Sequence, residues 1–306
     1  MRVVVTGVAG FIGSNLAKRL LDRGDVVIGI DNLSAGVKEN VDERVEFHKV
    51  DIRSLEIYPL LEHADAVFHL AAKSSLTDCL ANPIEAAEVN AVGTLNVLEA
   101  AKKAKTDRFI YASTSSAYEG IKELPASESK IQPIGVYASS KHSGALFCDS
   151  YHYLYGMNTV SLRYFNVYGP AQDWRRAIPA VMSGFIRPML LGKPPVIYGT
   201  GEKRRDFIYV DDVNDLHIRL LDGSWPSQRV FNVGTGTAHS INEVYRLIEA
   251  QLQTGLEPIY KPDLPGEAQI TLADISLARN ELGWEPKANI QGGLQRMVRY
   301  IQEHAL

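Results

Sequence analysis

The sequence has little of what would tie the chain to a nucleic acid, a membrane or a metal. Its 306 residues carry a formal net charge of only -4. The densest basic run, "KRR" at 203–205, is too short for the electrostatic footprint of a nucleic-acid binder. No apolar run approaches the roughly 20 residues that span a bilayer, and no leader-like stretch precedes "MRVVVTG", so the expected location is cytoplasmic. Cysteine is nearly absent. Cys79 and Cys148 stand apart, without zinc spacing or the density of a disulfide scaffold, so two buried free thiols and no metal are expected. Internal repeats and low-complexity or linker segments are also missing. What remains is a soluble globular class, 45% hydrophobic, with one large or two ordinary domains. The expected ligand is a small molecule.

What is present alternates. "RVVVTG" (2–7) reads as a buried strand, "FIGSNLAKRLLDRG" as a helix closed by Gly24, and "DVVIGID" as the next strand. The pattern continues through "ADAVFHLAA" (64–72), a helix near 83–103, "RFIYAST" (108–114), a helix near 137–155 and "TVSLRYFN" (159–166). Repeated βα units predict an α/β fold, a doubly wound Rossmann-type parallel sheet. After "VYGP" (167–170) the chain turns to Pro- and Gly-punctuated segments around "RDFIYV" (205–210) and "RVFNVGTG" (229–236). This predicts a second, smaller α/β substrate domain, discontinuous in sequence. The expected division is 1–168 and 206–236 for the first domain, 169–205 and 237–306 for the second.

In "TGVAGFIG", Gly7, Gly10 and Gly13 fall where the first strand turns into the first helix. The spacing misses the strict dinucleotide fingerprint and is weak alone. Its position is the stronger signal, because glycines there allow a tight turn and close approach of a pyrophosphate to the helix N-terminus. Asp31 ends the second strand. A carboxylate there accepts both ribose hydroxyls and repels a 2'-phosphate, which favours NAD over NADP.

"GVYASSK" (135–141) sets Tyr137 and Lys141 one helical turn apart. A tyrosine with pKa near 10 needs about three units of depression, roughly 4 kcal/mol, to be half ionised near neutrality. An ammonium at i+4 favours the phenolate. The spacing recurs by chance in chains of this length, so context has to carry it.

The glycine turn, "HLAA" (69–72), "STSSAY" (113–118), "YASSK" (137–141), "RYFNVYGP" (163–170) and "RRDFIYVDDV" (204–213) follow one another in an order that resembles the extended short-chain dehydrogenase/reductases. More narrowly, the chain resembles their NAD-dependent nucleotide-sugar epimerases and dehydratases. The resemblance implies Tyr137 as acid/base, Lys141 as the lysine that holds the nicotinamide ribose and lowers the tyrosine pKa, and Thr114 as the hydroxyl that bonds the reacting sugar oxygen. It implies a cofactor wall of Gly7, Gly10, Phe11, Ile12, Gly13, Asp31, Asn32, Asp51, Ile52, Leu70, Ala71, Ala72 and Ser113, with Asp51 and Ile52 at the adenine. On the substrate side it implies Lys73, Thr114, Asn166, Tyr198, Arg205, Glu267 and Thr271, with Asn166 and Arg205 at the diphosphate and Glu267 at the UDP ribose. Thr271 then stands where a tyrosine in relatives crowds out a 2-acetamido group.

The resemblance also separates reactions. Dehydratases of this kind follow the threonine with Asp and Glu, and decarboxylases also carry Glu at the second position; here Ser115 and Ser116 offer no carboxylate. The expected reaction is therefore a 4-epimerisation of a UDP-hexose (UDP-Glc/UDP-Gal, with UDP-GlcNAc/UDP-GalNAc) through a transient 4-keto sugar, with tightly bound NAD and a homodimeric protein. Alternatives are a UDP-uronic acid epimerase or another nucleotide-sugar oxidoreductase, and, from another class, a non-catalytic NAD sensor, which would need no Thr114, Tyr137 and Lys141 set. Three departures stand out. "LPGE" at 264–267 lacks an arginine that relatives carry. "GPA" replaces "GPR", with Arg175 and Arg176 just beyond. "AYEG" at 117–120 replaces "VYG". The resemblance also implies that the two helices near 83–103 and 137–155 form the dimer face, with Leu95, Leu98, Leu146 and Tyr153 as candidates that either lie there or face the sheet.

Overall fold

Apolar runs with no polar alternation become strands buried on both faces, and they do so in this protein, whose computed structural model describes residues 1–175, 178–263 and 268–304. The strands are β1 (Arg2–Thr6), β2 (Val26–Ile30), β3 (Glu46–His48), β4 (Ala66–His69), β5 (Arg108–Thr114), β6 (Asn158–Tyr164), β7 (Asn166–Tyr168), β8 (Val196–Tyr198), β9 (Arg204–Tyr209), β10 (Val230–Val233), β11 (Ala238–Ser240) and β12 (Ile259–Lys261). The helices are α1 (Phe11–Asp22), α2 (Leu76–Ala81), α3 (Pro83–Ala87), α4 (Thr94–Ala104), α5 (Val136–Tyr155), α6 (Val181–Leu190), α7 (Val210–Asp222), α8 (Ile241–Leu252), α9 (Ser276–Leu282) and α10 (Ile290–His304).

Seven parallel strands make the main sheet in the order β10-β6-β5-β4-β1-β2-β3. Helices cover both faces. Leu16 and Leu20 of α1 pack with Val213, Leu216 and Leu220 of α7 on one side. Val97 and Leu98 of α4 pack with Ala145, Cys148 and Tyr151 of α5 on the other. This is the doubly wound α/β fold, and the order reverses between β1 and β4, where such sheets bind their ligands. Both cysteines are buried and unbridged.

The smaller sheets are β11-β9-β7 and β12-β8. They lie with a second core in which Phe185 and Ile186 of α6, Val244 and Ile248 of α8 and Leu294 and Met297 of α10 close on Ile197 and Tyr209. β9 thus belongs to a small sheet, while α7 and β10 return to the large one. No helix among the described residues is long and apolar enough to cross a membrane.

The helix expected near 83–103 is not uniform. A π-helical stretch, Glu88–Gly93, separates α3 from α4, a local widening that sequence periodicity does not reveal. Leu98 is fully buried and Leu95 packs against the same core, so these two dimer-face candidates face the sheet instead. Leu146 and Tyr153 remain exposed, at 51% and 87%.

Candidate functional site

β1 delivers Gly7 and β4 delivers Leu70 to the switch point side by side. Gly7 has φ 73°, and a Cβ there would stand 2.7 Å from the Ala71 backbone nitrogen, so only glycine fits. A Cβ on Gly13 would collide with the Gly7 carbonyl. The result is a cleft of about 730 Å³ walled by Gly7, Gly10, Phe11, Ile12, Gly13, Asp31, Asn32, Asp51, Ile52, Leu70, Ala71, Ala72, Lys73, Ser113, Tyr137 and Lys141, among others. The cradle that side chains would fill, opening onto the start of α1, fits a dinucleotide pyrophosphate.

Asp31 lines the cleft just past β2. Its Oδ2 accepts the Ala9 N–H at 3.0 Å and its Oδ1 the Leu33 N–H at 2.8 Å. Burial pushes its carboxyl above the usual range while those two bonds oppose the rise. Asn32 donates to Asp51 Oδ2 at 2.9 Å, and the Arg53 guanidinium beside Asp51 holds that carboxyl down at about 2.

Tyr137 and Lys141 line the same cleft from the first two turns of α5. Burial lowers the Lys141 ammonium to about 7, and it stands 4.3 Å from the centre of the Tyr111 ring. Thr114 ends β5 beside Tyr164 of β6. Its hydroxyl oxygen accepts the Ser116 N–H at 3.1 Å, which leaves the hydroxyl hydrogen for another acceptor.

A buried chain of polar groups braces these parts, and sequence reasoning gave it no role. Thr94 donates to the Asn90 carbonyl at 2.7 Å, so it accepts from His69 Nε2 at 2.9 Å, and Thr6 donates to His69 Nδ1 at 2.7 Å. Burial lowers His69 to about 3, which keeps the ring neutral and the direction fixed. In the π-helical stretch, Asn90 bonds both backbone groups of Lys73 and donates to Ser140 Oγ at 3.0 Å; Ser140 donates to the Tyr137 carbonyl at 3.0 Å. The available signal was a polar Asn90 flanked by the apolar Val89, Ala91 and Val92.

The substrate-side candidates are more dispersed. The Lys73 ammonium, on the cleft wall, pairs with Glu85. Asn166 donates to the Asp206 carbonyl at 3.0 Å and to Thr271 Oγ1 at 3.1 Å, so Asn166 and Thr271 meet beside β9. Arg205 lies on β9 and donates to the Arg204 carbonyl at 3.0 Å. Tyr198, on β8, is paired in register with Lys261. None of these four walls the cleft. Arg175 reaches the cleft and pairs with Asp173 at 2.7 Å. Arg176, Leu264 and Glu267 lie outside the described residues.

The chain resembles proteins of known structure along its whole length. It is 35% identical to a UDP-glucose 4-epimerase of Thermotoga maritima solved with UDP-glucose, with a TM-score of 0.95 and 99% of both chains covered. It is 34% identical to a UDP-N-acetylglucosamine 4-epimerase of Methanobrevibacter ruminantium in complex with UDP-N-acetylmuramic acid, with a TM-score of 0.94 over 99% of this chain and 98% of that one. It is 33% identical to a UDP-glucuronate 4-epimerase of Thermodesulfobacterium geofontis, over 98% and 96% of the two chains. A family model covers residues 3–234. With the glycine cradle, Asp31 and the Tyr137–Lys141 turn lining one cleft, the chain belongs to the NAD dependent epimerase/dehydratase family.

Proposed function

We propose that the protein is an NAD-dependent isomerase that inverts C4 of a UDP-hexose, UDP-glucose and UDP-galactose together with their 2-acetamido counterparts. The observation that carries this reading is the joint placement of Tyr137 and Lys141 on the wall of the NAD cleft, with two serines, Ser115 and Ser116, following Thr114. NAD, when bound, supplies the hydride acceptor and donor at C4. Tyr137 takes the proton of the 4-hydroxyl and later returns it. Lys141 favours the tyrosinate through its positive charge, and Thr114 donates to the same sugar oxygen. Ser115 and Ser116 supply no carboxylate to expel water or assist loss of CO₂, so the 4-keto sugar has only the return of hydride open to it. Since the cofactor is regenerated in each cycle, it stays bound. We assign the diphosphate to Asn166 and Arg205, and the physiological assembly to a homodimer built on α5.

Purified protein is incubated with UDP-Glc, UDP-Gal, UDP-GlcNAc, UDP-GalNAc and UDP-GlcA, and the anomeric protons are followed by NMR. Interconversion of the first four supports the reading. Turnover of UDP-GlcA alone replaces it with a uronate 4-epimerase. Tyr137→Phe should fold, keep NAD and lose turnover by several orders of magnitude; near-native activity in that variant sinks the mechanism.

A further inference from the structure

Helix α5 begins without a cap of its own. Its N-cap is Gly135, which has no side chain to offer. The third helical position, from which a glutamate reaches back to the N-cap N–H in a capping box, is the buried Ala138. The missing acceptor comes from sixteen residues upstream, where Glu119 Oε2 takes the Gly135 N–H at 2.9 Å. A carboxylate there makes a charge-assisted bond and complements the positive end of the helix.

Glu119 is also the C-cap of the 3₁₀ turn Ser115–Tyr118, whose N-cap is Thr114. Its own N–H donates to the Ser116 carbonyl at 3.2 Å. Two backbone bonds brace the same junction, from Gln132 N–H to the Ala117 carbonyl at 2.8 Å and from Gly120 N–H to the Gln132 carbonyl at 3.0 Å. One carboxylate therefore joins the turn that starts at Thr114 to the helix whose second residue is Tyr137.

We propose that Glu119 is a positioning residue that sets Tyr137 against Thr114 across the reacting sugar oxygen. What that geometry serves rests on the 4-epimerase reading; the contact itself does not. A shift of about 1 Å between reacting groups costs on the order of 100-fold in rate, so a single anchor at the helix start suffices to matter.

The test compares Glu119→Ala with Glu119→Gln, both with NAD bound. In Glu119→Ala, kcat falls roughly tenfold or more, KM changes less than about twofold, and amide hydrogen exchange accelerates at Gly135 and at Ser139, the first amide bonded within the helix. Glu119→Gln keeps an acceptor oxygen and recovers most of both kcat and protection. An unchanged kcat in Glu119→Ala overturns the proposal, as does a loss that glutamine fails to restore. If the wild type turns over none of the UDP-sugars, the epimerase reading fails by itself. Exchange then decides the matter: protection lost with alanine and kept with glutamine supports the anchor, and unchanged protection with alanine overturns it.

Discussion

Asn90 brackets the backbone of Lys73, its Oδ1 accepting the Lys73 N–H at 2.8 Å and its Nδ2 donating to the Lys73 carbonyl at 3.0 Å. The second hydrogen of the same amide reaches Ser140, so one buried side chain ties the loop after β4 to the helix that carries Tyr137. Each buried partner left unpaired costs about 1–3 kcal/mol. Asn90→Ala should lower stability by about 3 kcal/mol, measured by urea unfolding, and weaken NAD binding. Asn90→Asp keeps the bond from the Lys73 N–H but sets a buried carboxylate oxygen against the Lys73 carbonyl, so it should be no more stable than Asn90→Ala. Equal stability of Asn90→Ala and wild type would remove this brace from the account.

Asp31 is placed to choose between cofactors. Asp31→Ala should raise the ratio of NADP to NAD affinity, measured as Kd on cofactor-stripped protein, by about tenfold or more, because a carboxylate that repels a 2'-phosphate is gone. Asp31→Asn keeps one oxygen, an acceptor for either the Ala9 or the Leu33 N–H but not both, and should shift the ratio in the same direction. An unchanged ratio in both variants means that Asp31 does not hold the ribose.

Lys141 makes the NAD-free protein pH-sensitive. Burial lowers its ammonium from the ordinary lysine value of 10.5 to about 7. The cost of burying the charge is fully present below pH 7. Between about 7 and 10.5 the unfolded chain binds the extra proton, so this group makes stability rise with pH. Thermal unfolding of the NAD-free protein should show that rise, and Lys141→Met should remove it. A parallel Tm–pH curve for the two proteins contradicts the assignment.

Thr271 is predicted to admit 2-acetamido sugars. It lies against Asn166, and Thr271→Tyr should lower kcat/KM for UDP-GlcNAc relative to UDP-Glc by about tenfold or more, since discrimination appears in that ratio. A ratio unaffected by the ring means that Thr271 does not border the sugar.

A second copy of the chain is expected on the exposed apolar face of α5. Leu146 and Tyr153 are two helical turns apart, and α2 and α3, packed beside α5, add exposed Leu80 and Ile84. Light scattering should give a dimer at micromolar concentration, and Leu146→Asp with Tyr153→Asp a monomer. A monomeric wild type refutes the dimer.

The sequence by itself determined the βα alternation, the glycine turn after β1, Asp31 at the end of β2 and the Tyr137–Lys141 spacing. Each of these is a local pattern: unbroken apolar runs, glycines where the backbone must come close, one helical turn between two side chains. The three-residue strands β3, β7, β8, β11 and β12 are too short to carry a period and form only because a neighbour supplies their hydrogen bonds. Tertiary structure alone decided that Leu98 turns inward while Leu146 stays exposed, since periodicity gives a helix an apolar face without saying what covers it. It also decided the polar links. Thr6, His69 and Thr94 are joined across distant stretches of chain, as are Lys73, Asn90 and Ser140, because a buried polar group must find its partner wherever the fold brings one. Glu119 reaches the start of α5 for the same reason: Gly135 and Ala138 give that helix no acceptor of its own, and the return of the chain beside the Thr114 turn provides one.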